Sequence, residues 1–345
     1  MKILSIDTSC DETAAGVTEN TRVLSNIIWS QAFAHAKFGG VMPSLAQRMH
    51  EERIDWVIEK AIRKSHTKFE NLDAIAVTVG PGLSIALGVG IDRAKKLSLK
   101  YNKKLIAVNH LEAHVLSCFA QPKTSKVSVP KPKFPALGLV VSGGNTILVK
   151  IKKIGSYEIL AQTADDALGE ALDKAARMLG LGYPGGAVLE KMAKLGNPEA
   201  YNLPTPIQGQ ENRKIFTYSG LKTAMSRLIE SEKPLTKQKI YNLSSSFQNV
   251  AFSHLIRVCS HIFRSGESEY ASLLVGGGVS ANIELRKRLR KLGKETGIKI
   301  SFPYSQKLTG DNAAMIGVTA YFKAKQGLFE NPTKLDRKPN AKIND

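Results

Sequence analysis

The chain is short of cysteine, of acidic residues relative to basic ones, and of long apolar runs, and each shortage excludes something. Its three cysteines (Cys10, Cys118, Cys259) are scattered over 345 residues with no CxxC pair. That excludes a disulfide framework and a Cys-based zinc site, and it points to a reducing, cytoplasmic setting. No apolar stretch reaches the ~18 residues of a membrane-spanning helix. The opening MKILSIDTSC carries one lysine and meets Asp7 at once, which is not the pattern of a secretory signal. There is no GxxxxGK[ST] loop, and no G-x-G-x-x-G opens a helix with an acidic residue ~20 positions on, so P-loop and Rossmann sites are excluded. Acidic residues number 30 against 49 basic ones, a net charge of +19. Such an excess favours a polyanionic partner, RNA or DNA.

What is present is enough apolar material, 43% of 345 residues, for two domains of ordinary size. The segment 3–6 is a strand by its β-branched and apolar content. A polar cluster follows it, Asp7-Thr8-Ser9-Cys10-Asp11-Glu12-Thr13, and an extended pattern resumes at 14–18. The same plan recurs in mid-chain: a strand at 137–141, the turn Ser142-Gly143-Gly144-Asn145-Thr146, and a strand at 147–150. The recurrence predicts a duplicated domain. Between the copies, 121–133 is rich in Pro and Lys and is expected to be an exposed linker. Strands are expected at 72–79, 105–108 and 271–275. Helices are expected at 48–63, 85–100, 167–179, 187–195, 237–263, 282–292 and 311–325. Strands alternating with helices in both halves indicate an α/β fold. The expected division is 1–125, 126–325 and a polar, mobile tail at 326–345.

Three glycine turns follow strands: Gly80-Pro81-Gly82, Ser142-Gly143-Gly144 and Gly276-Gly277-Gly278. Glycine after a strand lets backbone N–H groups approach a phosphate, although each turn alone is equally an ordinary tight turn. Asp173, on an expected helix, could accept hydrogen bonds from ribose hydroxyls, or be a solvated helix charge. His110-Leu111-Glu112-Ala113-His114 places two imidazoles one helical turn apart, a spacing that suits a first-row divalent metal and also suits two satisfied histidines. Glu112 lies midway and off that face, unlike the Glu of an H-E-x-x-H protease. Asp311, at an expected helix N-cap, could complete a set of two histidines and one carboxylate with open positions.

Taken together, the ordered motifs resemble the tRNA adenosine threonylcarbamoyltransferases of the TsaD, Kae and Qri type. They are IDTSCDETA, HAKFGGVMPSLAQRMH, VGPGL, NHLEAH, LVVSGGNT, DDALGEALDKAARMLGL, SGLKTA, SFQ, GGGVSAN and DNAAM, spread from Met1 to about Lys325. The resemblance implies the actin-like ATPase (ASKHA) fold, two duplicated lobes around a central cleft. It implies transfer of a threonylcarbamoyl group from threonylcarbamoyl-AMP to the adenosine beside the anticodon, with release of AMP. His110, His114 and Asp311 match metal positions, for iron(II) ahead of zinc. Val140, Val141, Ser142, Gly143, Gly144, Asp173, Gly186, Glu190 and Asn282 match donor-binding positions. Asp11 and Glu12 match acidic residues, one of which could deprotonate the amine. Expected partners are tRNA, a smaller TsaB-type paralogue and a TsaE-type ATPase, with no membrane. Another actin-fold kinase or ATPase, or a non-catalytic subunit of the modification complex, would not need the histidine pair with Asp311. The charge excess is then expected to serve tRNA phosphates, with Arg288 and Arg290 of the 286–291 run and the lysines of 123–133 as candidates.

Overall fold

The run Ile3-Leu4-Ser5-Ile6 forms strand β1 (Lys2–Asp7), as its composition predicts. In the computed structural model, which describes residues 1–128, 132–265 and 270–345, β1 is central to a six-stranded sheet. Its companions are β2 (Glu12–Glu19), β3 (Arg22–Ser30), β4 (Ala74–Gly80), β5 (Lys104–Asn109) and β6 (Gln121–Pro122), in the order β5-β4-β1-β2-β3-β6. β2 runs antiparallel to β1 and β3, whereas β4 pairs with β1, β5 with β4, and β6 with β3 in parallel.

The second sheet holds β7 (Ala136–Val141), β8 (Thr146–Lys153), β9 (Ser156–Thr163), β10 (Ile215–Phe216), β11 (Ser272–Gly276) and β12 (Lys299–Ser301). Its order, β12-β11-β7-β8-β9-β10, repeats the first sheet strand for strand. The pairing senses repeat too: β7 and β8 are antiparallel, and β11 with β7, β12 with β11, and β10 with β9 are parallel. The expected duplication is therefore visible in topology. In each copy the first hairpin is closed by four residues, 8–11 and 142–145.

Side-chain alternation along β1 sends Leu4 and Ile6 into a core built with Val57, Ile58, Leu87 and Ile91 from the helices Pro43–Ser65 and Ser84–Lys100. Ser5 points the other way and donates to the carbonyl of Ala313 at 2.6 Å. The almost wholly buried helix Ala313–Lys325 thus covers the opposite face of the first sheet. The helix expected at 48–63 begins earlier, at Pro43, because proline's fixed φ suits the first helical turn. The helix Ser219–Ser231 was not foreseen from the pattern.

The compact units differ from the expected 1–125 and 126–325. One comprises 1–133, 152–157 and 302–345; the other comprises 134–151 and 158–301. The physical reason is that the helix Ala313–Lys325 is an apolar cover for the first sheet, not for the second. The tail expected to be mobile is docked on the first unit. Glu330 N–H donates to the Leu105 carbonyl at 2.8 Å, Lys338 N–H donates to the Val79 carbonyl at 2.6 Å, and Leu335 and Ile343 are buried. In the expected linker, Gln121 is buried and accepts a hydrogen bond from Thr21 Oγ1 at 2.8 Å. Lys131, one of the lysines proposed there for RNA, lies outside the described residues. Among the described residues no helix is long and apolar enough to cross a membrane.

Leu335 joins the first unit's core, so Leu335→Ala is expected to cost about 2–5 kcal/mol and to lower the thermal midpoint of unfolding. An unchanged midpoint by calorimetry would contradict the docked tail.

Candidate active site

β5 ends at Asn109, whose side chain accepts hydrogen bonds from Leu111 N–H and Glu112 N–H at 2.9 and 3.2 Å. That cap starts the helix His110–Leu116 and fixes the ring of His110 at its first position. His110 and His114 lie on one face, with ring centroids 4.6 Å apart. Asp311 is not the cap of the last helix, as expected from sequence. Asn312 takes that role, accepting from Met315 N–H at 3.0 Å, and this leaves the Asp311 carboxylate to face the histidines. Asp311 Oδ1 lies 3.3 Å from His110 Nε2 and 3.2 Å from His114 Nε2. One ligand atom from each of the three lies within 4.8 Å of the others.

Two features make this set fit a cation. His110 Nδ1 and both ring nitrogens of His114 are buried without a hydrogen-bond partner, as is Asp7 Oδ2. Orphaned buried polar atoms are costly, and of these His114 Nε2 is the one that faces Asp311, where an ion would be its partner, whereas His110 Nδ1 and Asp7 Oδ2 face each other. Two imidazoles and one carboxylate are also a first-row metal donor set that leaves open positions. Burial disfavours a charged His110, but the Asp311 and Asp7 carboxylates outweigh burial and raise it to about 9. Burial holds His114 below the usual histidine range. Asp311 is held well below the usual carboxylate range because both histidines outweigh its burial. Glu112 turns away, accepting from Tyr157 OH at 2.7 Å, which agrees with its placement off the histidine face.

Asp7 was missed in the sequence because it read as one residue of a polar cluster. It sits 3.7 Å from His110 Nδ1, and burial raises its pKa. Asp11 and Glu12 follow on the same turn. Burial and the charges of Asp311 and Asp11 push Glu12 up to about 10. Cys10 is no thiolate nucleophile: burial and its acidic neighbours push its thiol well up. The turn is held from outside by His50, whose Nε2 lies 3.0 Å from the Cys10 carbonyl and whose Nδ1 lies 2.7 Å from Thr13 Oγ1. That pairing explains the histidine that ends the HAKFGGVMPSLAQRMH stretch.

The expected donor-binding residues all lie in the second unit. Val140 and Val141 have fully buried side chains in β7, so only their backbone can serve a ligand. Ser142 N–H donates to the Asn145 carbonyl at 2.8 Å, and Asn145 N–H donates to Ser142 Oγ at 3.1 Å. Gly143 and Gly144 face open space. Asp173 Oδ1 accepts from Gly185 and Gly186 N–H at 2.9 and 2.7 Å, so its first task is to fix that turn. Glu190 Oε1 accepts from Ile283 N–H at 3.0 Å, and Asn282 caps the same helix, Ile283–Thr296, through Glu284 and Leu285 N–H.

The three glycine turns therefore separate. Gly80-Pro81-Gly82 is covered by the chain itself: a Cβ on Gly80 would fall 1.8 Å from the Lys338 carbonyl, and Gly82 N–H donates to the Pro339 carbonyl at 3.0 Å. Its glycine serves close packing and not a phosphate. Gly277 has φ +91°, and a Cβ there would meet the Val141 carbonyl at 2.3 Å, so it joins β11 to β7. Open space remains at Gly143 and Gly144, and at Gly278 of the third turn, while the Ser142 carbonyl is taken by Gly169 N–H at 3.2 Å.

One other expectation changes. Arg288 is a brace between helices, donating to Glu284, to Ser253 Oγ and to the Asn249 carbonyl and side chain at 2.7–3.0 Å. It is no free cation for RNA, whereas Lys287 and Lys291 on the same helix are exposed. The DDALGEALDK and SGLKTA stretches are bonded to each other. Asp165 accepts from Tyr218 N–H at 2.8 Å and Ser219 Oγ at 2.6 Å, and Asp166 pairs with Lys174 and Lys222.

Solved structures share this two-sheet plan at low identity. Full-length HypF, in a phosphate- and nucleotide-bound form, superposes with a TM-score of 0.57 at 14% identity, over 94% of this chain and 55% of that one. Component A of the (R)-2-hydroxyglutaryl-CoA dehydratase of Acidaminococcus fermentans gives 0.53 at 14% identity, over 94% and 99%. The fold is that of the actin-like ATPases. The family model for TsaD, tRNA N6-adenosine threonylcarbamoyltransferase, matches residues 22–318. Relatives named tRNA N6-adenosine threonylcarbamoyltransferase include one from Bartonella tribocorum, 42% identical over 99% of this chain and 94% of its own length. One from Clostridium beijerinckii is 43% identical over 99% and 98%. The chain belongs to the TsaD family and is a tRNA-modifying transferase.

In the second unit, His254 Nε2 accepts from Thr217 N–H at 3.1 Å, and burial, with the Arg257 charge, pushes its pKa down to about 4. Unfolded histidine titrates near ~6.5. The unfolded chain thus binds a proton that the folded site refuses, and stability is present above that value and lost as pH falls from ~6.5 toward ~4. His254→Gln, which keeps an acceptor for Thr217, is expected to flatten that part of the thermal-midpoint profile. A variant profile parallel to wild type would contradict this.

Proposed function

We propose that the chain transfers a threonylcarbamoyl group from threonylcarbamoyl-AMP to the N6 amine of the adenosine 3′ to the anticodon in tRNAs reading codons that begin with A. The amine nitrogen bonds to the carbamoyl carbon, the bond from that carbon to phosphate oxygen breaks, the amine loses a proton, and AMP leaves. The observation that carries the reading is the buried His110, His114 and Asp311 set, in which His114 Nε2 lacks a hydrogen-bond partner, in a chain of this family.

His110, His114 and Asp311 would hold one divalent ion, iron(II) ahead of zinc by family resemblance. When bound, such an ion supplies positive charge and Lewis acidity where oxygen gains charge in the transition state. The remaining work falls to side chains and backbone. One of the two carboxylates of the first turn, Asp11 or Glu12, accepts the amine proton. Asp7 aligns the ring of His110 from the side opposite Asp311, much as carboxylates orient metal-bound histidines. In the second unit, backbone N–H groups of Ser142-Gly143-Gly144 take the donor's phosphate or threonyl carboxylate, where open space surrounds Gly143 and Gly144. Asp173 holds Gly186 in place and faces ribose, and Glu190 and Asn282 shape the far end of the donor site by fixing the start of the helix Ile283–Thr296. Val140 and Val141 contribute through backbone alone.

The exposed Lys287 and Lys291 are the better candidates for tRNA phosphates. A TsaB-type paralogue, a TsaE-type ATPase and a cytoplasmic setting complete the proposal.

The test is transfer of labelled threonine from threonylcarbamoyl-AMP to unmodified tRNA. His110→Ala is expected to lower the rate at least ~100-fold in protein that still folds, as checked by circular dichroism. Full activity in that variant, or in metal-stripped protein, would overturn the assigned metal role.

A further inference from the structure

Between β3 and the helix Pro43–Ser65 lies a loop whose construction the reaction above does not use. It begins with the short helix Ala32–Ala36, and its centre, His35, is completely buried. Met42 N–H donates to His35 Nδ1 at 3.2 Å, so the ring hydrogen sits on Nε2, which lies 3.0 Å from Gln31 Oε1. Gln31 Nε2 donates in turn to the Ala46 carbonyl at 3.3 Å. One buried imidazole therefore ties both ends of the loop to its middle. The same loop is stitched to the acidic turn of the candidate site. Gln31 N–H donates to the Asp11 carbonyl at 2.9 Å, and Ser30 Oγ donates to Glu12 Oε1 at 3.1 Å.

This rigid loop holds two aromatic rings out in solvent. Phe33 is 85% exposed and Phe38 is 59% exposed, with the exposed Lys37 beside Phe38. A large ring left in water forgoes the burial that stabilises most phenylalanines, and exposure on a pinned scaffold marks a contact surface. Along the segment itself the charge has one sign: from Gln31 to His50 there is no acidic residue, while Lys37 and Arg48 are basic.

We propose that Phe33 and Phe38 are a stacking platform for unpaired bases of the tRNA loop that carries the target adenosine, with Lys37 against an adjacent phosphate. The proposal rests on the tRNA-transferase reading above. Single-stranded loops are recognised by stacking splayed bases on aromatic rings with cations along the backbone, and chemistry on a base needs that base held apart from its neighbours. A loop bonded directly to the turn of Asp11 and Glu12 is the right place for such a hold. Because it is pinned by His35, little ordering is lost on binding.

The experiment compares the metal-loaded full chain with its Phe33→Ala/Phe38→Ala and Phe33→Trp/Phe38→Trp variants in threonylcarbamoyl transfer to tRNA. A second readout is an anticodon stem-loop carrying 2-aminopurine beside the target adenosine, whose fluorescence reports a change in stacking. The double alanine variant is expected to raise KM for tRNA about tenfold or more, to leave the KM for the donor unchanged, and to lose the 2-aminopurine response. The double tryptophan variant is expected to restore both. An alanine variant with wild-type KM and fluorescence response overturns the platform. So does one that binds the stem-loop normally but no longer associates with a second protein, which would make the surface a protein-docking site. A wild-type chain that transfers nothing to any tRNA, even with the TsaB-type paralogue and TsaE-type ATPase added, contradicts the functional reading itself, a result distinct from either.

Discussion

One carboxylate oxygen, Asp311 Oδ1, lies within 3.3 Å of two buried imidazoles, and the architecture of the first unit converges on that point. The approach is demanding because none of the three groups is well solvated. Burying polar groups without partners costs on the order of 1–3 kcal/mol each, so the cluster persists only if packing holds it. That packing has two sources. Asn109 caps the histidine helix at the end of β5, and its Nδ2 donates to the Lys342 carbonyl at 2.8 Å, so the docked tail braces the same cap. The helix Ala313–Lys325, far along the chain, lies across the first sheet and brings Asp311 with it.

Duplication gives the chain two copies of one hairpin, and the two turns carry different chemistry. The turn at 8–11 is built from hydroxyl, thiol and acidic residues and leads from Asp7 to Glu12. The turn at 142–145 is built from serine, glycine and asparagine, with Gly143 and Gly144 open. Equal turn length in equal sheet positions keeps the backbone alike while side chains diverge. The first turn thus offers a carboxylate that can take a proton, and the second offers backbone at Gly143 and Gly144 that an anion can approach.

Much of this was legible from local signals. The strands at 3–6 and 137–141, the repeated hairpin and the i, i+4 histidines are short-range patterns, and the structure has them where expected. The rest depended on long-range contacts. Asp311 reads as a cap because Asp-Asn-Ala-Ala offers two candidate caps, and only the fold shows that Asn312 takes the role. Gly80-Pro81-Gly82 reads as a phosphate turn because nothing near it in sequence says that Lys338 and Pro339 cover it. The tail reads as mobile because it is polar, yet backbone bonds to Val79 and Leu105 and a few apolar anchors such as Leu335 hold it down. Arg288 reads as part of a basic run, but its guanidinium is satisfied by a neighbouring helix that sequence spacing does not reveal. Asp7 was invisible as a site residue for the same reason: its proximity to His110 is tertiary.

The central claim is that His110, His114 and Asp311 together bind one divalent ion in the folded chain. The most direct measurement is an anomalous difference map, collected at the absorption edge of the bound metal, from crystals of the purified protein. The account predicts a single strong peak in coordination contact with both imidazoles and the Asp311 carboxylate, absent in His114→Ala. A wild-type map empty at that position at full metal loading, or a peak held by other residues, would contradict it.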